Sequence, residues 1–248
     1  MPDDPLRGST ALVTGGSRRI GRATALALAG AGANVAVHYR RSPEEAGAVV
    51  AALRERGVRA EAFAADLGDP TACEALFARA ADALGPIDYL INNAAIFPAG
   101  DLRTLSVEAV ETNVRVNALA PAFLGRALAA QNRAGAIVNL LDARMVDYDA
   151  RHLAYHLSKR MLFTLTQVMA LEFAPRVRVG AVAPGLILPP PGEDEAYLQS
   201  LAHTNPLQMH GDPADVVHAI LFLLTSRFVT GQVIFVDGGR HMRGATYG

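Results

Sequence analysis

Short runs of mainly apolar residues alternate along this chain with longer stretches of helical periodicity. The apolar runs fall at 11–13, 35–38, 60–64, 89–92, 136–141, 177–182 and 233–236. The helical patterns lie between them, at 20–31, 44–56, 70–84, 106–131, 152–174 and 213–225. A strand without a polar face must be covered on both sides, and a parallel sheet between two layers of helices provides that cover. The expected class is therefore α/β, with a doubly wound parallel sheet. At 248 residues, with 51% hydrophobic and 19% charged side chains, the chain suits one such domain over 1–248 and has too much apolar material for disorder.

Local punctuation agrees. Asp69-Pro70 and Asp212-Pro213 each place an N-cap before a proline at the first helical position. Ser42-Pro43-Glu44-Glu45 predicts the same, with carboxylates near the positive end of the helix dipole. The irregular stretch 184–192 contains Pro189-Pro190-Pro191, which excludes helix interior and central strand. Following a strand's C-terminal end, it is a candidate substrate lid.

The first apolar run leads into Thr14-Gly15-Gly16-Ser17-Arg18-Arg19-Ile20-Gly21 and then a helix. Gly15 and Gly21 permit a tight turn and close backbone approach, and the helix N-terminus offers N–H groups and a positive dipole to a pyrophosphate. After the second run come His38-Tyr39-Arg40-Arg41-Ser42, with no acidic residue where an NAD binder would hold its ribose hydroxyl. Arg18, Arg19, Arg40 and Arg41 on one pocket edge favour a 2′-phosphate, hence NADPH. Asp66, followed by Leu67, is placed to reach the adenine edge or to cap the next helix.

Charge and cysteine usage exclude other classes. Twenty-three Lys and Arg against twenty-four Asp and Glu give a net charge of −1, without the basic bias of a nucleic-acid binder. The single cysteine, Cys73, excludes an internal disulfide framework and fits a reducing compartment. Its place early in a helix would favour a thiolate. Residues 1–5 carry no secretory pattern, and no apolar run approaches the roughly 18 residues of a membrane span, so a cytoplasmic location is expected. His152 and His156 are four apart, but no third ligand has suitable spacing; they read as helix-surface residues, and no metal is expected. Met145, Met161 and Met169 read as core or pocket lining.

Tyr155 and Lys159 are one helical turn apart on one face. A tyrosine near pKa 10 relays protons poorly at neutral pH unless a neighbouring cation stabilises its phenolate, which Lys159 would supply.

Thr14-Gly15 with Gly21, Asn92-Asn93-Ala94, Asn117, Tyr155-x-x-x-Lys159, Pro184-Gly185 and Asp237-Gly238-Gly239 together resemble the short-chain dehydrogenase/reductase family, in order and over nearly the whole chain. The resemblance implies a Rossmann-type domain, with Tyr155 as proton donor, Lys159 as its activator and Asn117 as anchor of a proton-relay water. It also implies that Asn92, Asn93, Ala94 and the segment Pro184–Ile187, including Gly185 and Leu186, line the cofactor site, and that the protein is a homotetramer, the usual assembly of a family that sometimes forms dimers.

The chain departs from the family pattern at several points. Arg19 stands where the turn usually has glycine, Asp142 replaces the usual serine, Ala95 replaces the glycine after Asn-Asn-Ala, and Phe97 follows. These departures resemble the pteridine reductase and dihydromonapterin or dihydrofolate reductase subgroup. A carboxylate at 142 would repel a developing alkoxide, but could deliver or orient a proton for a ring nitrogen. Phe97 would stack on a flat pterin, with Arg19, Asp142, Tyr155, Gly185 and Leu188 around it. The expected reaction is NADPH-dependent reduction of a dihydropterin or dihydrofolate. The alternatives are a 3-oxoacyl-type carbonyl reductase and a non-catalytic NADPH sensor.

Overall fold

A computed structural model describes residues 5–190 and 192–245. Pro191 of the proline run and the first four residues lie outside the described residues. Seven strands form one parallel sheet: β1 (Thr10–Val13), β2 (Asn34–Tyr39), β3 (Ala60–Ala64), β4 (Tyr89–Asn92), β5 (Gly135–Leu140), β6 (Val177–Pro184) and β7 (Val233–Val236). Their order is β3-β2-β1-β4-β5-β6-β7. The chain starts in the middle, winds to one edge, then returns to build the other half. The reversal between β1 and β4 opens a crevice at the C-terminal ends of these two strands, where doubly wound sheets bind ligands.

Alternation along β1 divides the core. Ala11 and Val13 face one layer with Leu28, Val35, Val37 and Val216, whereas Leu12 faces the other with Ala36, Leu76, Leu90 and Leu124. Both layers are built mainly of buried aliphatic side chains, as mainly apolar strands require.

The covering helices are α1 (Arg19–Gly30), α2 (Pro43–Arg54), α3 (Pro70–Leu84), α4 (Val107–Val114), α5 (Ala120–Ala130), α6 (Leu153–Glu172), α7 (Glu195–Leu201) and α8 (Pro213–Thr225). Asp69 accepts from the Thr71 N–H, and Asp212 forms a reciprocal capping box with Asp215, as the sequence predicts. Ser42 does not cap α2. Its hydroxyl instead pairs with that of Ser17 at 2.8 Å, tying the second strand's exit to the glycine turn.

The single helix expected over 106–131 is interrupted. Between α4 and α5 the chain widens into a π-turn over Arg115–Leu119. Pro121 supplies the physical reason: it has no N–H for the carbonyl of Asn117, and its ring crowds that carbonyl. Helix α7 is not anticipated by the sequence, since its seven residues bury only Leu198 and give periodicity too little length to register. No helix among the described residues is long and apolar enough to cross a membrane.

Candidate active site

The glycine turn is held by side chains on every side. The Thr14 hydroxyl accepts the N–H groups of Asn93 and Ala94 at 2.9 and 3.0 Å. Asn93 returns its side-chain amide to the carbonyls of Thr14 and Gly15. Asn93 is thus a brace for the turn, its donor already committed. Gly15 has φ +62° and lies so close to Ala94 that a Cβ would sit 3.1 Å from the Ala94 Cα.

His38 is the least expected part of this frame. The Gly15 N–H donates to its Nδ1 at 3.1 Å, and Nε2 lies 3.2 Å from the Ala65 carbonyl. A ring that accepts at Nδ1 must carry its proton on Nε2, so it donates to Ala65. Burial pulls its pKa down to about 4, which keeps it neutral and able to play both parts.

These elements enclose a cleft of about 460 Å³. It is lined by Gly15, Arg18, Arg19, Ile20, Gly21, Tyr39, Arg40, Arg41, Ser42, Asp66, Leu67, Asn93 and Ala94, which the sequence singles out, and also by Ser17, His38, Ala95, Ile96 and Val116. Arg18 is ion-paired with Glu45 of α2. Arg19 opens α1 with φ +50°, the left-handed region that suits glycine. That explains why glycine is usual there; a Cβ costs about 1–2 kcal/mol. The Arg19 guanidinium donates to the Pro189 carbonyl at 2.9 Å, linking the turn to the segment after β6. Asp66 accepts from the Gly68 N–H, as a local turn residue at the cleft's edge.

Asn92 stands apart. It is buried and donates to the Asn139 side chain, which donates to Thr166 of α6. It therefore joins two strands to a helix beneath the cleft and does not line it. Gly185 packs against Asp237, where a Cβ would lie 2.6 Å from the Asp237 Cβ. Pro184 ends β6, paired in register with Val236. Leu186 and Ile187 line a neighbouring, mainly apolar cavity of about 570 Å³ beside Asn205 and His241, while Leu188 packs on the core. These segment residues are thus placed outside the walls of the glycine-turn cleft.

Tyr155 and Lys159 lie in the first half of α6, and Asp142 follows β5. The Tyr155 hydroxyl donates to Asp142 Oδ2 at 2.8 Å, and the other Asp142 oxygen accepts the Arg144 N–H at 2.7 Å. The Arg144 guanidinium turns away to Asp149. Burial, reinforced by the Asp142 carboxylate, raises the Tyr155 pKa well above the usual phenol value. Lys159 does not hydrogen-bond the phenol: its ammonium donates to the Leu140 carbonyl at 2.6 Å and lies 5.7 Å from the Tyr155 ring centre. Burial lowers its pKa to about 8.

Phe97 is 52% exposed and meets Tyr155 edge-on at 4.5 Å between ring centres. One of its faces is covered by the His152 ring at 3.9 Å, and His152 is held in turn by Asp149. His156 is buried and accepts from Arg160, contrary to its expected surface position. The Asn117 side chain is fully buried and engaged with Ile96 and Ser158. Pro121 has no N–H to give the Asn117 main-chain carbonyl, so that carbonyl lacks its α-helical donor. Cys73 is buried, and burial pushes its pKa up to about 11, so the helix start does not yield a thiolate. Among the described residues no cluster of His, Cys, Asp or Glu is able to hold a metal ion.

A braced glycine turn at the sheet's switch point, with a buried tyrosine and lysine and a half-buried carboxylate beyond the adjoining strands, defines an oxidoreductase built around a dinucleotide. The chain belongs to the short-chain dehydrogenase/reductase family. Residues 15–241 match the family model described as enoyl-(acyl carrier protein) reductase. The chain is 35% identical to versicolorin reductase 1 of Aspergillus parasiticus, covering 94% of this chain and 97% of that protein. It is 34% identical to the 3-oxoacyl-[acyl-carrier-protein] reductase FabG of Staphylococcus aureus, covering 94% and 98%. Among solved structures, FolM alternative dihydrofolate reductase 1 from Brucella canis, complexed with NADP, superposes with a TM-score of 0.89 at 32% identity, covering 96% of each chain.

Proposed function

We propose that this protein is a cytoplasmic, homotetrameric reductase that uses NADPH to reduce a dihydropterin- or dihydrofolate-type substrate. The carrying observation is the hydrogen bond from Tyr155 to the Asp142 carboxylate, at the position where the family usually has a serine. The cofactor, when bound, supplies the hydride. The chain's residues fit it: Gly15 and Gly21 would allow close approach, and Arg18, Arg19, Arg40 and Arg41, which line the same cleft, would hold its phosphates. The Brucella FolM likeness, in a protein complexed with NADP, supports both halves of the reading.

In this mechanism Tyr155, protonated because its pKa is high, donates to the substrate. Asp142 orients that proton and, as an anion, disfavours a substrate whose oxygen gains negative charge, while accommodating a ring nitrogen that gains a proton. The Lys159 ammonium faces the phenolate left behind. The Asn117 carbonyl holds the water that returns a proton, and Phe97 offers its exposed face to a flat heterocycle. Apolar side chains exposed on α6 (Leu157, Phe163, Val168 and Leu171) and Phe222 on α8 support the tetramer, since a monomer rarely leaves such faces bare.

The 34% identity to a 3-oxoacyl reductase favours a second reading, reduction of a β-ketoacyl thioester. NADPH oxidation with dihydrobiopterin, dihydrofolate and a β-ketoacyl thioester separates the two. Pterin or folate turnover is expected to exceed thioester turnover; turnover of the thioester alone overturns the pterin reading. The double variant Arg40→Ala/Arg41→Ala is expected to lose about tenfold in kcat/KM with NADPH and little with NADH, because only the former carries the extra phosphate. Equal losses with both cofactors would assign the arginines another role.

A further inference from the structure

We propose that a second basin, at the opposite edge of the sheet from the cofactor cleft, binds a compact polyanion carrying two or more phosphate-like groups. The cofactor cleft is built where strands end. This cavity, of about 540 Å³, is built where β1, β4, β5 and β6 begin. Arg7, Arg133, Arg176, Arg178 and Arg227 line it, and among the described residues Asp88 is the one carboxylate in its wall. The arginines come from four separate segments of the chain, so the fold and not a local run of sequence brings them together. In a chain of net charge −1, the guanidiniums of Arg133, Arg176, Arg178 and Arg227 set against the Asp88 carboxylate make a positive local potential.

The groups divide by role. Arg178 is the fixed base of the basin, donating to the Leu223, Leu224 and Ser226 carbonyls at the end of α8 at 2.6 to 2.7 Å. Burial lowers its pKa, so its charge is short of solvation. Asp88 is held to one wall: Oδ2 accepts the Thr10 N–H at 2.9 Å, and Oδ1 is 3.7 Å from Arg133. It therefore leaves Arg176 and Arg227 without a carboxylate partner among the described residues. Arg133, Arg176 and Arg227 are exposed around it. Planar guanidinium forks match phosphate oxygens in pairs, and the volume lies in the range of small-molecule sites. No nucleophile paired with a base lines the cavity, which makes this a site for binding and not for chemistry.

The test is calorimetric titration of inorganic tripolyphosphate into four proteins, each with its thermal midpoint checked. The native chain, saturated with NADPH so that the cofactor cleft is filled, is expected to bind one tripolyphosphate. Arg176→Ala/Arg227→Ala is expected to weaken that binding at least about tenfold with unchanged NADPH affinity, and Arg176→Glu alone to weaken it similarly. Arg40→Ala/Arg41→Ala, in the cofactor cleft, is expected to leave it unchanged. Absence of binding to the native chain overturns the proposal. So does a loss seen with the Arg40/Arg41 variant but not with the Arg176/Arg227 variant.

Discussion

Tyr155→Phe is expected to lower kcat for NADPH-dependent reduction by about a thousandfold, within the range of a lost general acid. NADPH affinity should change little. The substitution removes one oxygen from a buried ring whose packing against Phe97 is through carbon, so the protein should remain folded. The Asp142 carboxylate then loses the phenol it accepts from at 2.8 Å, but stays anchored by the Arg144 N–H. Lys159 gives the same mechanism a pH signature. With its pKa lowered to about 8 by burial, its ammonium disappears as pH rises through that value. The phenolate formed on proton donation then loses its counter-charge, and kcat should fall above pH 8. Unfolding is not the cause: between about 8 and the ordinary lysine value the unfolded chain binds more protons than the folded one, so this group makes the fold more stable as pH rises. A Tyr155→Phe enzyme with more than a tenth of native turnover would remove the phenol from the mechanism.

Gly21→Ala is expected to abolish measurable NADPH binding, a weakening of at least about a hundredfold. A Cβ there would overlap the Gly15 carbonyl oxygen and lie 2.5 Å from the Asn93 amide nitrogen. Neither neighbour is a flexible tip. Gly15 is backbone in a left-handed conformation, and the Asn93 amide is fixed by two hydrogen bonds to the turn. The turn itself must move, at an overpacking cost of about 1–3 kcal/mol, and the N–H groups that would meet a pyrophosphate move with it. Gly30→Ala, at the other end of the same helix, is the control. A Cβ there meets nothing within 4 Å, so stability should be unchanged or slightly raised. Fluorescence titration with NADPH and thermal melting read both variants. An alanine-21 protein that binds NADPH within threefold of native would show that the turn does not form the phosphate cradle.

What was legible in the sequence was what rests on composition over several residues. Every strand was, because a sheet covered on both faces is built mainly of apolar residues, and the few polar ones, such as Asn92 and Asn139, are hydrogen-bonded to each other. The Asp69 and Asp212 caps were also visible, since an acid before proline at a helix start has one favourable geometry. The site was visible as a set of residues but not as a set of bonds. Ser42 reads as a cap, yet it pairs with Ser17, a partner twenty-five positions away that only the fold brings near. Arg18 reads as a phosphate ligand and is also paired with Glu45 on the next helix. His38 carries no local signal of its link between Gly15 and Ala65. The π-turn had a local cause, Pro121 inside a helical pattern, that periodicity alone overlooks. One turn of helix brings Lys159 to the same face as Tyr155, but the Leu140 carbonyl, supplied by a distant strand, takes its hydrogen bond.

The role of Asp142 is the centre of this account, and one comparison tests it most directly: kcat/KM for a dihydropterin and for a β-ketoacyl thioester, measured in parallel on the native enzyme and on Asp142→Ser. The native enzyme should favour the pterin. The serine variant should lose about a hundredfold on the pterin, because its hydroxyl does not replace a carboxylate in handling the proton, and should gain on the thioester, where the repelling charge is gone. Pterin turnover that is unchanged or raised in Asp142→Ser would contradict the account.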